Sequence, residues 1–187
     1  MRYFVGFLIA IGLIILIIVL LFGGSGDSGK SKVATSSKTL ASYANTDAEA
    51  SMTIDGPVNA DQDHRLLKVT VGQNSVVYQE FTGYNGQVIQ EKTYHNTEAS
   101  YATFLRALEL VSFTRGNNDS KLADERGRCP LGQRSVFEFK QGNHSFERLW
   151  VTSCGGAKTY LGSTQATIQL FKQQVPDYLA LSTDLGF

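Results

Sequence analysis

The chain has 187 residues, 42% of them hydrophobic, with 17 basic and 17 acidic side chains. Beyond position 32 there are 14 basic and 16 acidic residues, a net charge of −2. This balance gives no electrostatic reason to expect nucleic-acid binding.

An uncharged apolar run occupies residues 4–22. As an α-helix it would be about 28 Å long, which matches the ~30 Å hydrocarbon core of a bilayer. Arg2, just before the run, favours a cytoplasmic N-terminus. The run therefore predicts a single-pass anchor of the cell membrane. Residues 1–3 lie in the cytoplasm, residues 4–22 cross the lipid bilayer, and the remainder is extracytoplasmic.

Two other interpretations of the apolar run stay open. A cleaved signal peptide normally has a shorter apolar stretch and a small-residue cleavage site, which Gly24-Ser25-Gly26 matches poorly. The Gly6-Phe7 junction, followed by an apolar helix, resembles the processing site of type IV pilin precursors. Those proteins carry a glutamate where this chain has Ile11, so a pilin-like subunit is the less favoured alternative.

Residues 23–63 are rich in Gly, Ser, Thr and Ala and are predicted to form a flexible linker. Within them, Gly24–Ser31 satisfies the P-loop pattern G-x-x-x-x-G-K-[ST]. A P-loop needs a buried strand before it and a helix after it, whereas here a membrane helix precedes and a polar segment follows. We therefore expect no nucleotide. One additional short strand, at Ser51–Ile54, stays open as an alternative to the linker at these positions.

Residues 64–187 are predicted to form one extracytoplasmic domain. Alternating apolar residues and turn signals indicate three antiparallel strands: Arg65–Val71, Ser75–Thr82 and Gln87–Tyr94. A helix that ends near Ser112, a second hairpin and a helix that begins near Ser163 follow. The order βββ-α-ββ-α predicts an α+β fold in which an antiparallel sheet carries two helices on one face.

Cys129 and Cys154, the only cysteines, bracket the second hairpin, whose predicted strands are Arg134–Lys140 and Ser145–Thr152. This bracketing predicts a disulfide across the mouth of the hairpin, and the competing interpretation is two buried free thiols. A disulfide places the domain in an oxidising compartment outside the cytoplasm. The basic residues on either side of the apolar run do not decide the orientation alone.

The register of this hairpin decides which carboxylates meet. With the turn centred on a Gly-Asn pair, Phe139 faces Phe146 and Glu138 faces Glu147. A shift of one residue pairs Glu138 with Arg148 instead, which is a simple cross-strand ion pair and the preferred interpretation.

Thr114–Arg128, between the first helix and the hairpin, is a long polar loop with charges of both signs. Mixed charge is typical of a solvated loop with internal ion pairs, but long loops on a rigid scaffold also carry binding residues. The candidate binding residues of this loop are its charged side chains: Arg115, Asp119, Lys121, Asp124, Glu125, Arg126 and Arg128.

No catalytic or metal-binding set emerges from the spacing of residues. His64, His95 and His144 lack the spacing of zinc ligands and are predicted to be surface residues. The acidic turn Asn59–Asp63 lacks the later ligands of a calcium loop. The chain also has no G-x-S-x-G elbow. We expect no catalytic residues, no metal and no cofactor.

Two segments carry a resemblance: Asp124–Gly132 (DERGRCPLG) and Leu149–Gly155 (LWVTSCG). They resemble uncharacterised single-pass membrane-anchored proteins of candidate-phylum bacteria of the Saccharibacteria type, over roughly residues 97–178. The resemblance implies a place in a bacterial cell envelope and supports the cysteine pair. It implies no activity.

These features predict a membrane-anchored extracytoplasmic module that binds a protein or cell-surface partner and has no enzymatic activity. The alternative is a small cell-envelope hydrolase that uses histidine or carboxylate chemistry. In that case His144, Glu138 and Glu147 would be the residues to test.

Overall fold

The computed structural model describes residues 39–185, which form an α+β fold. The strands of this part are β1 (Ala48–Asp55), β2 (Arg65–Val71), β3 (Ser75–Thr82), β4 (Gln87–His95), β5 (Arg134–Gln141) and β6 (His144–Thr152). Its helices are α1 (Glu98–Leu110), α2 (Thr164–Lys172) and the single turn α3 (Tyr178–Leu181). Short 3-10 turns lie at Leu40–Tyr43, Asp61–Asp63, Ser120–Leu122 and Thr183–Leu185.

The strands form one antiparallel sheet in the order β4-β3-β2-β1-β5-β6. β1 lies at its centre, where Met52 is opposite Val69 of β2 and opposite Phe137 of β5. β4 and β6 are the edges. The chain therefore builds one half of the sheet outward from β1 and adds the second half after α1.

β1 corrects the predicted boundaries. The predicted linker, 23–63, contains this strand, so the folded part does not begin at His64. The additional strand left open at Ser51–Ile54 is present and extends to Ala48–Asp55. Its sequence signal is weak because its inward positions include small alanines, which suit the crowded centre of a sheet but add little hydrophobicity. The observed order is ββββ-α-ββ-α, followed by α3.

The hydrophobic core lies between one face of the sheet and the helices. Thr97 begins α1, and its hydroxyl accepts a hydrogen bond from the Ser100 amide at 3.2 Å. Tyr101, on the buried side of α1, donates to the Ala48 carbonyl at 2.7 Å. The remaining buried residues of α1 are those of the predicted apolar stripe: Phe104, Leu105 and Leu108. The prediction of a sheet with helices packed on it is confirmed.

The β5-β6 hairpin has the predicted Gly142-Asn143 turn. A bulge between Phe139 and Lys140 then shifts the register, so that Phe139 lies opposite Glu147 rather than Phe146. Glu138 consequently lies opposite Arg148, with the carboxylate 3.4 Å from Nε. The preferred cross-strand pair is confirmed, and the register without a shift is wrong.

The predicted anchor at 4–22, the residues before it and the first part of the predicted linker lie outside the described residues. Between residues 39 and 185, no helix has the length and apolar character that crossing a membrane requires.

Candidate functional site

Cys129 and Cys154 form a disulfide, with their Cα atoms 5.7 Å apart. This confirms the predicted pair. The bond ties the end of β6 to the loop before β5. Gly132 packs against both sulfurs, and a Cβ at this position would collide with the Ser153 hydroxyl and the Cys129 sulfur. The disulfide therefore fixes the last part of the loop that precedes β5.

That loop lies over the outer face of β5 and β6, the face opposite the helices. Trp150 is fully buried beneath it and donates from Nε1 to the Leu122 carbonyl at 2.7 Å. The Arg128 guanidinium lies 5.9 Å from the Trp150 ring centre. Arg148 binds both carboxylate oxygens of Glu125 at 2.8 and 2.5 Å. Burial alone would raise the pKa of Glu125, but the hydrogen bonds from Arg148 lower it.

The other candidate residues of the loop mostly stabilise the loop itself. The Asp119 carboxylate accepts from the Lys121 amide at 3.0 Å. Asp124 accepts from Arg126, which lowers the pKa of its carboxyl to about 2. Arg115 is exposed and bonds the Leu161 amide through its carbonyl. Of the seven charged candidates, Arg126 alone lines the cleft described next.

A cleft of about 360 Å³ lies at the end of the sheet where β1 ends. Three connections meet there: the β1-β2 loop, the β3-β4 turn and the disulfide-bonded loop before β5. The Val58 amide donates to the Pro130 carbonyl at 2.7 Å, which joins the first of these walls to the third. Four of the lining side chains are apolar or carry a phenol ring, and four are charged or titratable: Val58, Leu66, Phe81 and Tyr84, and Asp55, His64, Arg126 and Arg134.

A buried charged cluster forms the base of this cleft. Asp55 and Arg134 are opposite each other in the β1-β5 register, and Arg134 Nε donates to Asp55 Oδ2 at 2.8 Å. Arg134 Nη2 also donates to the Gly56 carbonyl at 3.0 Å. His64 Nε2 lies 3.0 Å from Asp55 Oδ1. His64 is only 4% exposed, so the prediction that it is a surface residue is wrong.

Tyr84 covers His64 on the cleft side of this cluster. The two rings stack with centroids 4.1 Å apart and an interplanar angle of 16°. The Tyr84 hydroxyl donates to the Asn59 carbonyl at 3.0 Å, and its amide donates to Asp61 at 2.7 Å. Gly86, with φ of 67°, allows the tight turn that presents this ring. Hydrogen bonds therefore fix Tyr84 both at its ring hydroxyl and at its backbone amide.

The polypeptide enters the described domain at the opposite end of the sheet. The Leu40 amide donates to Glu109 at 2.5 Å, and the Tyr43 ring packs against Phe139 at a centroid distance of 5.3 Å. β1 then runs from Ala48 to Asp55, a rise of about 25 Å at the usual strand spacing. The cleft thus opens at the far end of β1 from the point of entry.

The residues named for hydrolase chemistry do not converge in the structure. Glu138 faces outward beside Arg148, whereas Glu147 lies opposite Phe139 and belongs to the other face of the sheet. His144 is exposed at the hairpin turn. His64 is beside Asp55, but its second ring nitrogen faces the Pro57 carbonyl at 3.3 Å. Residues 39–185 also hold no cluster of His, Cys, Asp and Glu suited to a metal ion.

The fold and the site define a disulfide-bonded α+β domain with a cleft at one end of an antiparallel sheet. No family model matches the chain, and no curated protein matches it significantly.

Proposed function

We propose that this chain is a membrane-anchored extracytoplasmic binding module without enzymatic activity, and that the cleft at the end of β1 is its binding site. The observation that carries the proposal is the construction of the cleft. The Val58–Pro130 hydrogen bond joins the β1-β2 loop to the loop before β5, and the bonds of Tyr84 to Asn59 and Asp61 join the β3-β4 turn to the β1-β2 loop. The Cys129–Cys154 disulfide and the buried Asp55–Arg134 pair fix the loop before β5 and the start of β5. Apolar clefts with a few fixed polar groups are the usual form of ligand sites.

Two further features support the anchored placement. The apolar run at 4–22 has the length of a membrane helix. A disulfide is typical of domains outside the cytoplasm.

The geometry favours binding over the hydrolase alternative. His64 is the buried histidine nearest the cleft, and its ring nitrogens face Asp55 and the Pro57 carbonyl. A general base must reach the proton that it removes, and here both nitrogens face acceptors of the fold. Glu138 is paired with Arg148, which supports a structural role for that carboxylate.

A fragment screen on the full-length chain in detergent tests the binding role. We expect small apolar fragments to raise the melting temperature of the native protein and to be recovered chemically unchanged. The substitution Leu66→Trp, which fills the cleft, should abolish that rise. Val77→Trp is the matched control, because Val77 occupies the same open face of the sheet away from the cleft. Fragments that stabilise both variants equally, or that are converted to products, would contradict the proposal.

Thiol labelling of intact cells that express the full-length chain tests the placement. A membrane-impermeant maleimide should label Cys129 and Cys154 only after an impermeant reductant has been added. Labelling that requires cell lysis would place the domain in the cytoplasm. Labelling without a reductant would show that the thiols are free, which the proposal does not allow.

A further inference from the structure

We propose that the cleft binds a carboxylate that carries an aliphatic or aromatic group, with the carboxylate at Arg126 and Arg134 and the apolar group over Leu66 and Phe81. This inference rests on the proposed function and names the ligand class of that same site. It follows from three features of the cleft: a buried arginine with a free nitrogen, an exposed arginine at the rim, and an apolar floor.

The buried arginine supplies the first anion-binding group. The Arg134 side chain is only 6% exposed, and its Nε and Nη2 are engaged by Asp55 and the Gly56 carbonyl. Nη1 makes no hydrogen bond to any residue in the described part. Because the fold already bears the cost of burying this guanidinium, its free Nη1 is a preorganised donor for an oxygen ligand.

The second group stands at the rim. Arg126 donates through Nε and Nη2 to Asp124, and its side chain is 86% exposed. Its Nη1 likewise has no partner between residues 39 and 185. Gly127, with φ of 75°, follows it and turns the backbone. Two guanidinium groups that line one cleft and each keep a free Nη1 can supply one hydrogen bond to each oxygen of a carboxylate.

The floor of the cleft is apolar. Leu66 of β2 lies directly opposite Phe81 of β3, and Phe81 lies opposite Val88 of β4. These residues form a row on the open face of the sheet, of which Leu66 and Phe81 line the cleft together with Val58 and Tyr84. Val58 is 49% exposed and Tyr84 is 53% exposed, so apolar surface in the cleft remains to be covered. A ligand with an apolar body would remove this surface from water.

The charge balance selects a single carboxylate rather than a multiply charged anion. Asp55 neutralises Arg134, and Asp124 lies beside Arg126, so the two arginines offer hydrogen bonds without a large excess of positive charge. A multiply charged anion such as phosphate would need more positive side chains that no neighbouring carboxylate neutralises. The volume of about 360 Å³ is at the lower end of the range for small-molecule sites.

Calorimetric titration of the full-length chain in detergent tests this inference. N-acetyl-phenylalanine is the probe and its primary amide is the control, since the pair differs in charge but hardly in shape. We expect the acid to bind with a Kd on the order of 0.1–1 mM, as its size allows, and at least about tenfold more tightly than the amide. A tetrapeptide with a C-terminal phenylalanine is titrated in the same way. Comparing its affinity with that of N-acetyl-phenylalanine shows whether the cleft takes its carboxylate from a peptide C-terminus or from a small free acid.

Three variants show whether the acid lies in the cleft. Arg126→Gln should weaken binding of the acid at least about tenfold and leave the amide unchanged. Asp124→Asn frees Arg126 and should strengthen binding of the acid. Arg115→Gln, an exposed arginine of the same loop outside the cleft, should change nothing. Because Arg126 and Asp124 are both well exposed, these substitutions leave the fold intact, which melting curves verify.

Equal binding of acid and amide, or an unchanged affinity after Arg126→Gln, would overturn the carboxylate assignment. Neither result would affect the fragment screen, because that screen tests with Leu66→Trp whether the cleft binds apolar molecules at all. Failure of that screen would remove the site itself. The two proposals therefore fail separately.

Discussion

Asp55 and Arg134 are 79 positions apart in the chain and lie directly opposite each other across β1 and β5. The Arg134 guanidinium is buried, and its Nη2 is 2.7 Å from Asp55 Oδ2. This ion pair connects the two halves of the sheet at the end where the cleft opens. It is at once a structural contact and the base of the candidate site.

Asp55→Asn should destabilise the protein strongly. It leaves the buried Arg134 charge without its counter-ion, which costs about 3–5 kcal/mol in comparable buried pairs. Chemical denaturation followed by near-ultraviolet circular dichroism measures the change. Asp124→Asn breaks the exposed pair with Arg126 and is the matched control, for which we expect little change in the midpoint. Equal effects of the two substitutions would show that the buried pair has no special role.

The disulfide should contribute both stability and the shape of the cleft. Cys129 and Cys154 are 25 positions apart, so the chain-entropy model gives about 3 kcal/mol. The double substitution Cys129→Ser, Cys154→Ser should lower the melting temperature and speed amide hydrogen exchange at Val58, whose amide bonds the Pro130 carbonyl beside Cys129. Unchanged exchange at Val58 would mean that the cleft wall does not depend on the disulfide.

Alkaline pH should destabilise the fold through its buried tyrosines. Burial and the hydrogen bond to Asp177 raise the pKa of Tyr94 to about 12, and burial raises the pKa of Tyr178 to about 12. A raised folded-state pKa stabilises the fold below the unfolded value near 10, and this contribution is lost as the pH rises from 10 to 12. Unfolding at increasing pH, read with tyrosinate absorbance, checks this. Ionisation of all eight tyrosines near pH 10 in the folded protein would contradict it.

Trp150 should report on the loop that covers β5 and β6. Its Nε1 donates to the Leu122 carbonyl, and the ring is fully buried. Trp150→Phe removes that donor and leaves the carbonyl unpaired, which should cost about 1–3 kcal/mol. Since Trp150 is the only tryptophan, its fluorescence in the native protein follows the same loop directly. An emission maximum typical of exposed indole would contradict the packing described.

Local patterns in the sequence were enough to predict most of the fold. The strands Arg65–Val71 and Ser75–Thr82 alternate clearly, and the turn at Gly142-Asn143 marks the second hairpin, so these elements are where they were expected. The positions of Cys129 and Cys154 on either side of that hairpin also predict the disulfide, which is present. The sequence predicts only a fragment of β1, because alanine and serine positions at the centre of a sheet resemble a linker in composition.

The cleft could not be predicted for a different reason. It depends on the pairing of β1 with β5, and no local pattern shows which distant strand lies beside β1. His64 looked like a surface residue because a single histidine in a polar segment carries no sign of burial. Arg126 was included among the loop candidates, but its charge alone did not separate it from six neighbours that stabilise the loop or lie away from the cleft. Local patterns in the sequence therefore indicate the scaffold more readily than the site.

The most direct test of the central claim is a two-dimensional NMR titration of the full-length chain in detergent, labelled with ¹⁵N at glycine, against N-acetyl-phenylalanine. Gly83, Gly86 and Gly127 line the cleft, whereas Gly142 and Gly162 lie elsewhere in the fold. We predict that the amide signals of the first three glycines shift together with added ligand and that the other two do not move. Shifts confined to Gly142 and Gly162, or no shifts at all, would contradict the assignment of the cleft as the site that binds a carboxylate with an apolar group.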